Sequence, residues 1–261
     1  MIDNLLKNKI IIGMVHLLPL PGTQNFGGDI KKIEERAMYD AEKLVEGGID
    51  ALIIENFGDE PLATKINLHA YTVMANITQK IKDKFNIPLG VNIQFNCYKE
   101  EWALAYSLGA EFIRVETFVE KRFGKFGESG PCAKQLHKLK KEFPAKTMIF
   151  ADVNSKNSKG LPEVTKIEAT FDAITEKADA IILTGSETGV NPSIDDIIEI
   201  RQIFGNFPIL VGSGITLNNV KEFLKYADGI IVGSYFKRDG NVNNEIDIER
   251  VKSLVKLTRN H

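Results

Sequence analysis

Short apolar, β-branched runs recur along this chain, separated by longer segments whose apolar residues return every three or four positions. The runs are Ile10 to His16, Ala51 to Glu55, Pro88 to Ile93, Phe112 to Glu116, Thr147 to Asp152, Ala180 to Thr184, Pro208 to Val211 and Gly229 to Val232. Each reads as a strand, and the segments between them read as helices. Ile30, Ile33, Ala37, Ala41, Leu44 and Val45 share one face of a helix that Asp29 caps and Gly47-Gly48 stops. Ser193 and Asp196 form a weak capping box before Ile194, Ile197 and Ile198. Pro131 takes the first-residue position of another helix, and a last helix runs from Ile246 to Leu257. Alternation of this kind is the mark of parallel strands joined by crossover helices. Eight units in about 250 residues predict an α/β fold, the closed (β/α)8 TIM barrel, because a doubly wound sheet usually has fewer strands.

No linker rich in Pro, Gly or Ser divides the chain, so residues 1–261 are expected to form a single domain. Two longer connections stand out, Leu17 to Gly28 and Phe118 to Gly130, both carrying several glycines. Both follow strands and therefore lie on the face where barrel enzymes place their sites, which makes them candidate lids.

Composition narrows the class. With Lys+Arg 33 against Asp+Glu 35, a net charge of −2 and 43% hydrophobic residues, the chain is an ordinary globular one, neither disordered nor fibrous. It holds no apolar stretch of roughly 20 residues, so no membrane span is expected. The opening MIDNLLKNKI has no signal-peptide pattern, which predicts a cytoplasmic protein. Cys97 and Cys132 lack CxxC spacing and are expected to be free thiols. The basic run Lys134 to Lys146 has apolar residues at helical spacing and reads as a solvated helix face, so no nucleic-acid partner is expected. The oligomeric state stays open, a homo-oligomer included.

Three strands end in the same dipeptide: Gly185-Ser186, Gly212-Ser213 and Gly233-Ser234. Glycine lets a backbone approach a ligand closely, and successive N–H groups at a helix start make a concave, positive nest that suits phosphate. The second and third copies close strands seven and eight, the usual phosphate position of a barrel, where Tyr235 to Lys237 would begin a short extra helix. Gly185, Ser186, Gly212, Ser213, Gly214, Gly233 and Ser234 are therefore the expected phosphate-binding residues, and a small phosphorylated ligand the expected partner.

The other strand ends carry His16, Glu55, Asn92, Glu116, Asp152 and Thr184, a polar ring around one mouth. A buried carboxyl near a second one has its pKa raised and can act as a general acid or base. Asp152 and Glu55 are expected to form the acid–base pair, with Asn92 orienting the substrate and His16 assisting. The plainer alternative pairs a carboxylate with Arg114 or Lys156. No cofactor is expected. A divalent metal held by His16, Glu55, Glu116 and Asp152 is the alternative, although no HxxxH-type spacing supports it. Lys156 reads as a solvated loop charge, with a Schiff-base amine or phosphate ligand as the sharper reading.

Several of these blocks resemble the motifs of the BtpA (BtpA/SgcQ) family. They include Gly13-Met14-Val15-His16-Leu17-Leu18-Pro19-Leu20-Pro21-Gly22, Ile54-Glu55-Asn56-Phe57-Gly58-Asp59, Phe150-Ala151-Asp152-Val153, Thr184-Gly185-Ser186-Glu187-Thr188-Gly189, Val211-Gly212-Ser213-Gly214-Ile215-Thr216 and the stretch from Val232 to Gly240. The resemblance implies a ribulose-phosphate-binding type of barrel, in a family linked to photosystem I biogenesis or found among sugar-utilisation genes. By the same resemblance, relatives carry a basic and an acidic residue at Phe95 and Cys97, an Asn at Glu116, an Asp-Gln-Gly segment at Phe126 to Gly130 and a His at Asn157. Glu116 thus ranks below Asp152 and Glu55 as a catalytic candidate. Two functions follow. One is an enzyme on a small phosphorylated sugar or nucleoside metabolite, working by isomerisation, carbon–carbon cleavage or glycosidic cleavage. The other is a non-catalytic assembly or regulatory factor. Carboxylates gathered in one mouth favour the enzyme, because unpaired buried charge costs stability.

Overall fold

The computed structural model of the chain describes residue 6 and residues 8–161 and 163–259, so most of the opening segment read for a signal peptide lies outside them. Strands are numbered in chain order. Eight close into a parallel barrel: β1 (Ile10–His16), β2 (Ala51–Glu55), β3 (Leu89–Asn92), β4 (Phe112–Val115), β7 (Met148–Val153), β9 (Ala180–Leu183), β10 (Ile209–Val211) and β11 (Gly229–Val232). Each pairs with its neighbour in that order and β11 returns to β1, with Ile10 opposite Gly229 and Ile12 opposite Ala51. The helices are α1 (Ile30–Glu46), α2 (Leu68–Lys84), α3 (Tyr98–Leu108), α4 (Ala133–Glu142), α5 (Lys166–Thr175), α6 (Ile194–Phe204), α7 (Val220–Phe223) and α8 (Ile248–Arg259). This is a (β/α)8 TIM barrel.

Side chains of a strand alternate between two faces, so the barrel has two apolar regions. Ile11, Val15, Leu52, Ile54 and Ile113 pack outward against the helices. Ile10, Ile12, Met14, Ile53, Phe112 and Phe150 fill the interior, where the rings of Phe112 and Phe150 stack 4.5 Å apart. The same alternation, carried one step further along each strand, places the next inward residue at the C-terminal mouth. Met14 is followed inward by His16, Ile53 by Glu55, Phe112 by Arg114, Phe150 by Asp152, Leu210 by Gly212 and Ile231 by Gly233. A polar layer therefore caps an apolar plug.

Several local expectations shift. Asp29 does cap α1, accepting from the Lys32 amide, and Gly48 follows the helix at φ +90°. Pro131 stands before the Cys132 cap rather than inside α4, which begins at Ala133. Ser193 caps α6 by accepting from the Asp195 amide, while Asp196 reaches Lys166 instead of completing a capping box. The last helix begins at Ile248, since Ile246 is held by an antiparallel bridge to Lys237. The connection from Phe118 to Gly130 is not an open loop. It folds into β5 (Arg122–Gly124) and β6 (Gly127–Ser129), which form a three-stranded antiparallel sheet with β8 (Ser158–Lys159). Arg122 ties that sheet to the barrel, donating to Asn154 Oδ1 at 2.7 Å, to the Ser155 carbonyl at 3.0 Å and to Ser158 Oγ at 3.0 Å. No helix among the described residues is long and apolar enough to cross a membrane.

Candidate functional site

The mouth holds a pocket of about 240 Å³ whose inner wall is His16, Arg114 and Lys156 and whose outer wall is Gly212 to Thr216, Gly233 to Tyr235 and Arg250. It opens towards a wider cavity of about 970 Å³ under the loops, bounded by Phe57, Leu62, Phe126 and Val242 together with Gln24, Asn25 and Asn241. The two share Thr188, Gly189, Ser234 and Gly240.

On the inner wall, Asp152 is engaged. Arg114 donates to both of its oxygens, Nε to Oδ1 and Nη2 to Oδ2, each at 2.9 Å, and Ser155 Oγ donates at 3.2 Å. Both partners are buried, so the pair is planar, bidentate and shielded from water. Burial disfavours the Arg114 charge, but Asp152 more than offsets this and raises its pKa. Arg114 Nη1 also lies 3.9 Å from Glu55 Oε2. Glu55 accepts from Gln94 Nε2 through Oε1 at 2.8 Å, while its buried Oε2 has no hydrogen-bond partner among the described residues. Burial raises the Glu55 pKa against the pull of Lys156 and Arg114. His16 stacks on Phe57 at 4.3 Å, with Nε2 4.0 Å from Glu55 Oε1. Burial, then the cations Lys237, Lys156 and Arg114, hold its pKa well below the usual 6.5, so the ring is neutral.

Lys156 is not a solvated loop charge. Its backbone N–H donates to Thr184 Oγ1 at 3.0 Å, which turns the residue inward, and its side chain lines the pocket. Burial and then Arg114 lower its pKa, opposed by Glu55, Asp152 and Glu116.

The outer wall is built from backbone. The Gly212 N–H is spent on the barrel ladder, donating to the Leu183 carbonyl at 2.9 Å. The amides of Ser213, Gly214, Ser234 and Tyr235 find no acceptor among the described residues. Ser213 Oγ braces this wall, donating to the Val190 carbonyl at 2.5 Å and accepting from the Gly185 amide at 2.8 Å. Gly214 sits at φ +66° with Asn191 N only 2.2 Å from where a Cβ would stand, so no other residue fits. A Cβ on Gly233 would lie 2.9 Å from His16 Cε1. The short helix expected at Tyr235 to Lys237 is one 3₁₀ turn over Ser234–Phe236. Gly185 and Ser186 do not belong to the wall. The Gly185 amide is used by Ser213, and the Ser186 carbonyl accepts from the Asn157 amide at 2.9 Å. Thr188 and Gly189 reach the pocket in their place.

Asn92 and Glu116 lie in a separate buried cluster. Asn92 Nδ2 donates to Glu116 Oε1 at 2.7 Å, to Glu101 Oε1 at 3.1 Å and to the Arg114 carbonyl at 3.0 Å. Its Nδ2 is thus committed to the protein, while its buried Oδ1 has no hydrogen-bond partner among the described residues. Glu116 also accepts from the Asn96 amide at 2.9 Å, and burial followed by Asp152 pushes its carboxyl up to about 7. Burial and Glu116 likewise raise the Glu101 carboxyl well above its usual range. Cys97 and Cys132 are free and buried, and burial pushes both thiols up, which keeps them protonated. His16, Glu55, Glu116 and Asp152 do not converge as donors, and among the described residues no three His, Cys, Asp or Glu are grouped to hold a metal ion. The pattern reading missed Arg250 and Glu101. Arg250 donates to the Tyr235 carbonyl at 2.6 Å and covers the Tyr235 ring, and nothing in its helical segment marks it as more than a surface charge.

The sequence profile of the BtpA family matches residues 7–260. An uncharacterised protein of Methanocaldococcus jannaschii is 38% identical over 253 residues, which cover 96% of this chain and 95% of that protein. The photosystem I biogenesis protein BtpA of Synechocystis is 33% identical over 247 residues, 94% of this chain and 86% of that protein. Among solved structures, N-(5'-phosphoribosyl)anthranilate isomerase from Pyrococcus furiosus superposes with a TM-score of 0.60 at 14% identity, covering 97% of this chain and all of that one. (S)-3-O-geranylgeranylglyceryl phosphate synthase from Thermoplasma acidophilum, in complex with sn-glycerol-1-phosphate, gives a TM-score of 0.63 at 14% identity, covering 100% of this chain and 97% of that one. Likeness at that identity is likeness of fold.

Proposed function

Because this chain belongs to the BtpA family, we propose that it is a phosphate-binding barrel enzyme, acting on a small phosphorylated sugar or nucleoside metabolite by acid–base chemistry. The observation that carries this reading is the row of unpartnered amides at Ser213, Gly214, Ser234 and Tyr235, residues that line one pocket with Arg114 and Lys156. Backbone donors beside the Arg114 guanidinium suit a dianion, and the glycines let its oxygens come close. Two enzymes of like fold named for phosphorylated compounds, one of them in complex with sn-glycerol-1-phosphate, support the same reading.

Glu55 is the proton carrier best suited to the site, with one oxygen held by Gln94, the other unpartnered, and a pKa that burial raises. Asp152 serves by fixing Arg114 rather than by exchanging protons, since both its oxygens are bonded. His16, neutral and beside Glu55, is a hydrogen-bonding partner for substrate. Isomerisation, carbon–carbon cleavage and glycosidic cleavage all fit this set. A cytoplasmic protein working on a free metabolite is the setting that this reading implies.

A thermal-shift screen of phosphorylated sugars and nucleotides, with and without divalent metal, tests the reading. A ligand at a hundred times its Kd adds about 2.7 kcal/mol, a shift of a few degrees. Gly233→Val drives a branched side chain into His16 and the mouth, and is expected to abolish the shift. Ligands that bind this variant as tightly as the parent place the site elsewhere. The name of the Synechocystis relative, a photosystem I biogenesis protein, favours the second reading, an assembly factor without turnover. That reading prevails if no phosphorylated compound shifts the protein.

A further inference from the structure

Lys156 stands apart from the other basic residues of the mouth. Arg114 gives its Nε and Nη2 to Asp152, and Arg250 gives its Nε to the Tyr235 carbonyl. The Nζ of Lys156 has no hydrogen-bond acceptor and no carboxylate oxygen within 4.0 Å among the described residues, although it lines the pocket. A structural lysine finds a partner. Lys237 in this same chain does so, donating to Asp40 at 2.6 Å. Lys156 is instead half-buried in the pocket that the residues with unpartnered amides line, together with Arg114.

We infer that Lys156 is an amine nucleophile, and that the substrate is an open-chain phosphorylated aldehyde or ketone whose carbonyl carbon it attacks. The inference deepens the phosphate-site reading above and rests on it. Enclosure and a neighbouring cation both favour the neutral amine, the form with a lone pair to give, and its pKa is lowered in that direction. The pocket of about 240 Å³ suits a short carbon chain spanning amine and nest.

The step balances with groups at hand. The amine lone pair forms a C–N bond, the carbonyl π pair moves to oxygen, and that oxygen takes a proton while the nitrogen releases one. Loss of water, with a second proton delivered to the departing oxygen, leaves an iminium ion. Glu55 is the carboxyl placed to supply and recover these protons. The cationic nitrogen then draws electrons from a neighbouring C–H or C–C bond, which serves an isomerase or a lyase alike.

The test is reductive trapping on the full chain. Glyceraldehyde 3-phosphate, dihydroxyacetone phosphate and ribose 5-phosphate are each incubated with the protein and sodium borohydride, and intact mass and peptide mapping follow. The expected result is one adduct per chain with at least one probe, equal in mass to the probe less one oxygen atom and mapped to Lys156. Inorganic phosphate should suppress it, and Lys156→Arg, which keeps the charge, should lose it while melting like the parent. Mapping on the parent needs no variant, so a poorly folded substitution leaves the test intact. Adducts spread over exposed lysines at the same rate in Lys156→Arg overturn the inference. Thermal shift separates the two levels. Probes that bind the parent without an adduct on Lys156 refute the nucleophile and leave the phosphate site standing. Probes and inorganic phosphate that neither bind nor react refute both.

Discussion

Replacing Asp152 with Asn isolates the pair at the centre of the mouth. In the parent, Arg114 gives two parallel hydrogen bonds of 2.9 Å to a carboxylate, and both side chains are buried. The amide keeps the shape, but it offers one acceptor and no charge. The nearest remaining carboxylate oxygen is Glu55 Oε2, 3.9 Å from Nη1. Removing one partner from a buried pair leaves an uncompensated charge and costs about 3–5 kcal/mol. At roughly 2–4 °C per kcal/mol for a chain near this size, the melting temperature falls by about 6–20 °C. Urea unfolding of the parent, Asp152→Asn, Arg114→Met and the double variant measures it. Each single change strands one charge and the double strands none, so the double costs less than the sum, by an interaction energy of about 1–3 kcal/mol. A single-variant cost below about 1 kcal/mol, or strict additivity, refutes the buried pair as described. There is a functional corollary. Arg114 released by Asp152→Asn turns towards Glu55 and favours its ionised form, which moves the acid limb of any Glu55-dependent activity to lower pH.

Glu116 takes its proton near pH 7 in the folded chain against 4.5 when exposed, so between those values the folded state holds a proton that the unfolded state has lost. Stability therefore falls as pH rises across that window. Glu116→Gln should flatten the decline, read as melting temperature against pH, and an unchanged slope counts against the assignment. Lys237→Met leaves the fully buried Asp40 with only Arg36 and the Ile246 amide, and is expected to cost about 3–5 kcal/mol in urea unfolding. The added change Asp40→Asn should restore part of that loss, and a cost below about 1 kcal/mol contradicts the buried pair.

Local pattern was enough to determine the barrel. β1, β2 and β11 span the residues that their apolar runs mark, and Asp29 caps the helix it precedes, because burial and capping act over a few neighbouring residues. The period of two also placed His16, Glu55 and Asp152 at the mouth, since each follows an inward apolar residue by two positions. Tertiary structure alone decided what these groups touch. Asp152 and Arg114 are separated by 38 positions, and Asp40 and Lys237 by 197, and no periodicity links such pairs. β5 and β6 escaped notice because each is three residues long and their sheet is completed by β8, which lies beyond the next barrel strand. Gly185-Ser186 looks like its two sister dipeptides in sequence, yet its amide is spent on Ser213, a contact that exists only once β9 and β10 lie side by side. Lys156 reads as a loop charge until the Thr184 hydroxyl turns its backbone inward. Chain pattern fixes which way a side chain faces. Barrel closure fixes its partners, and with them which groups are spent and which remain for chemistry.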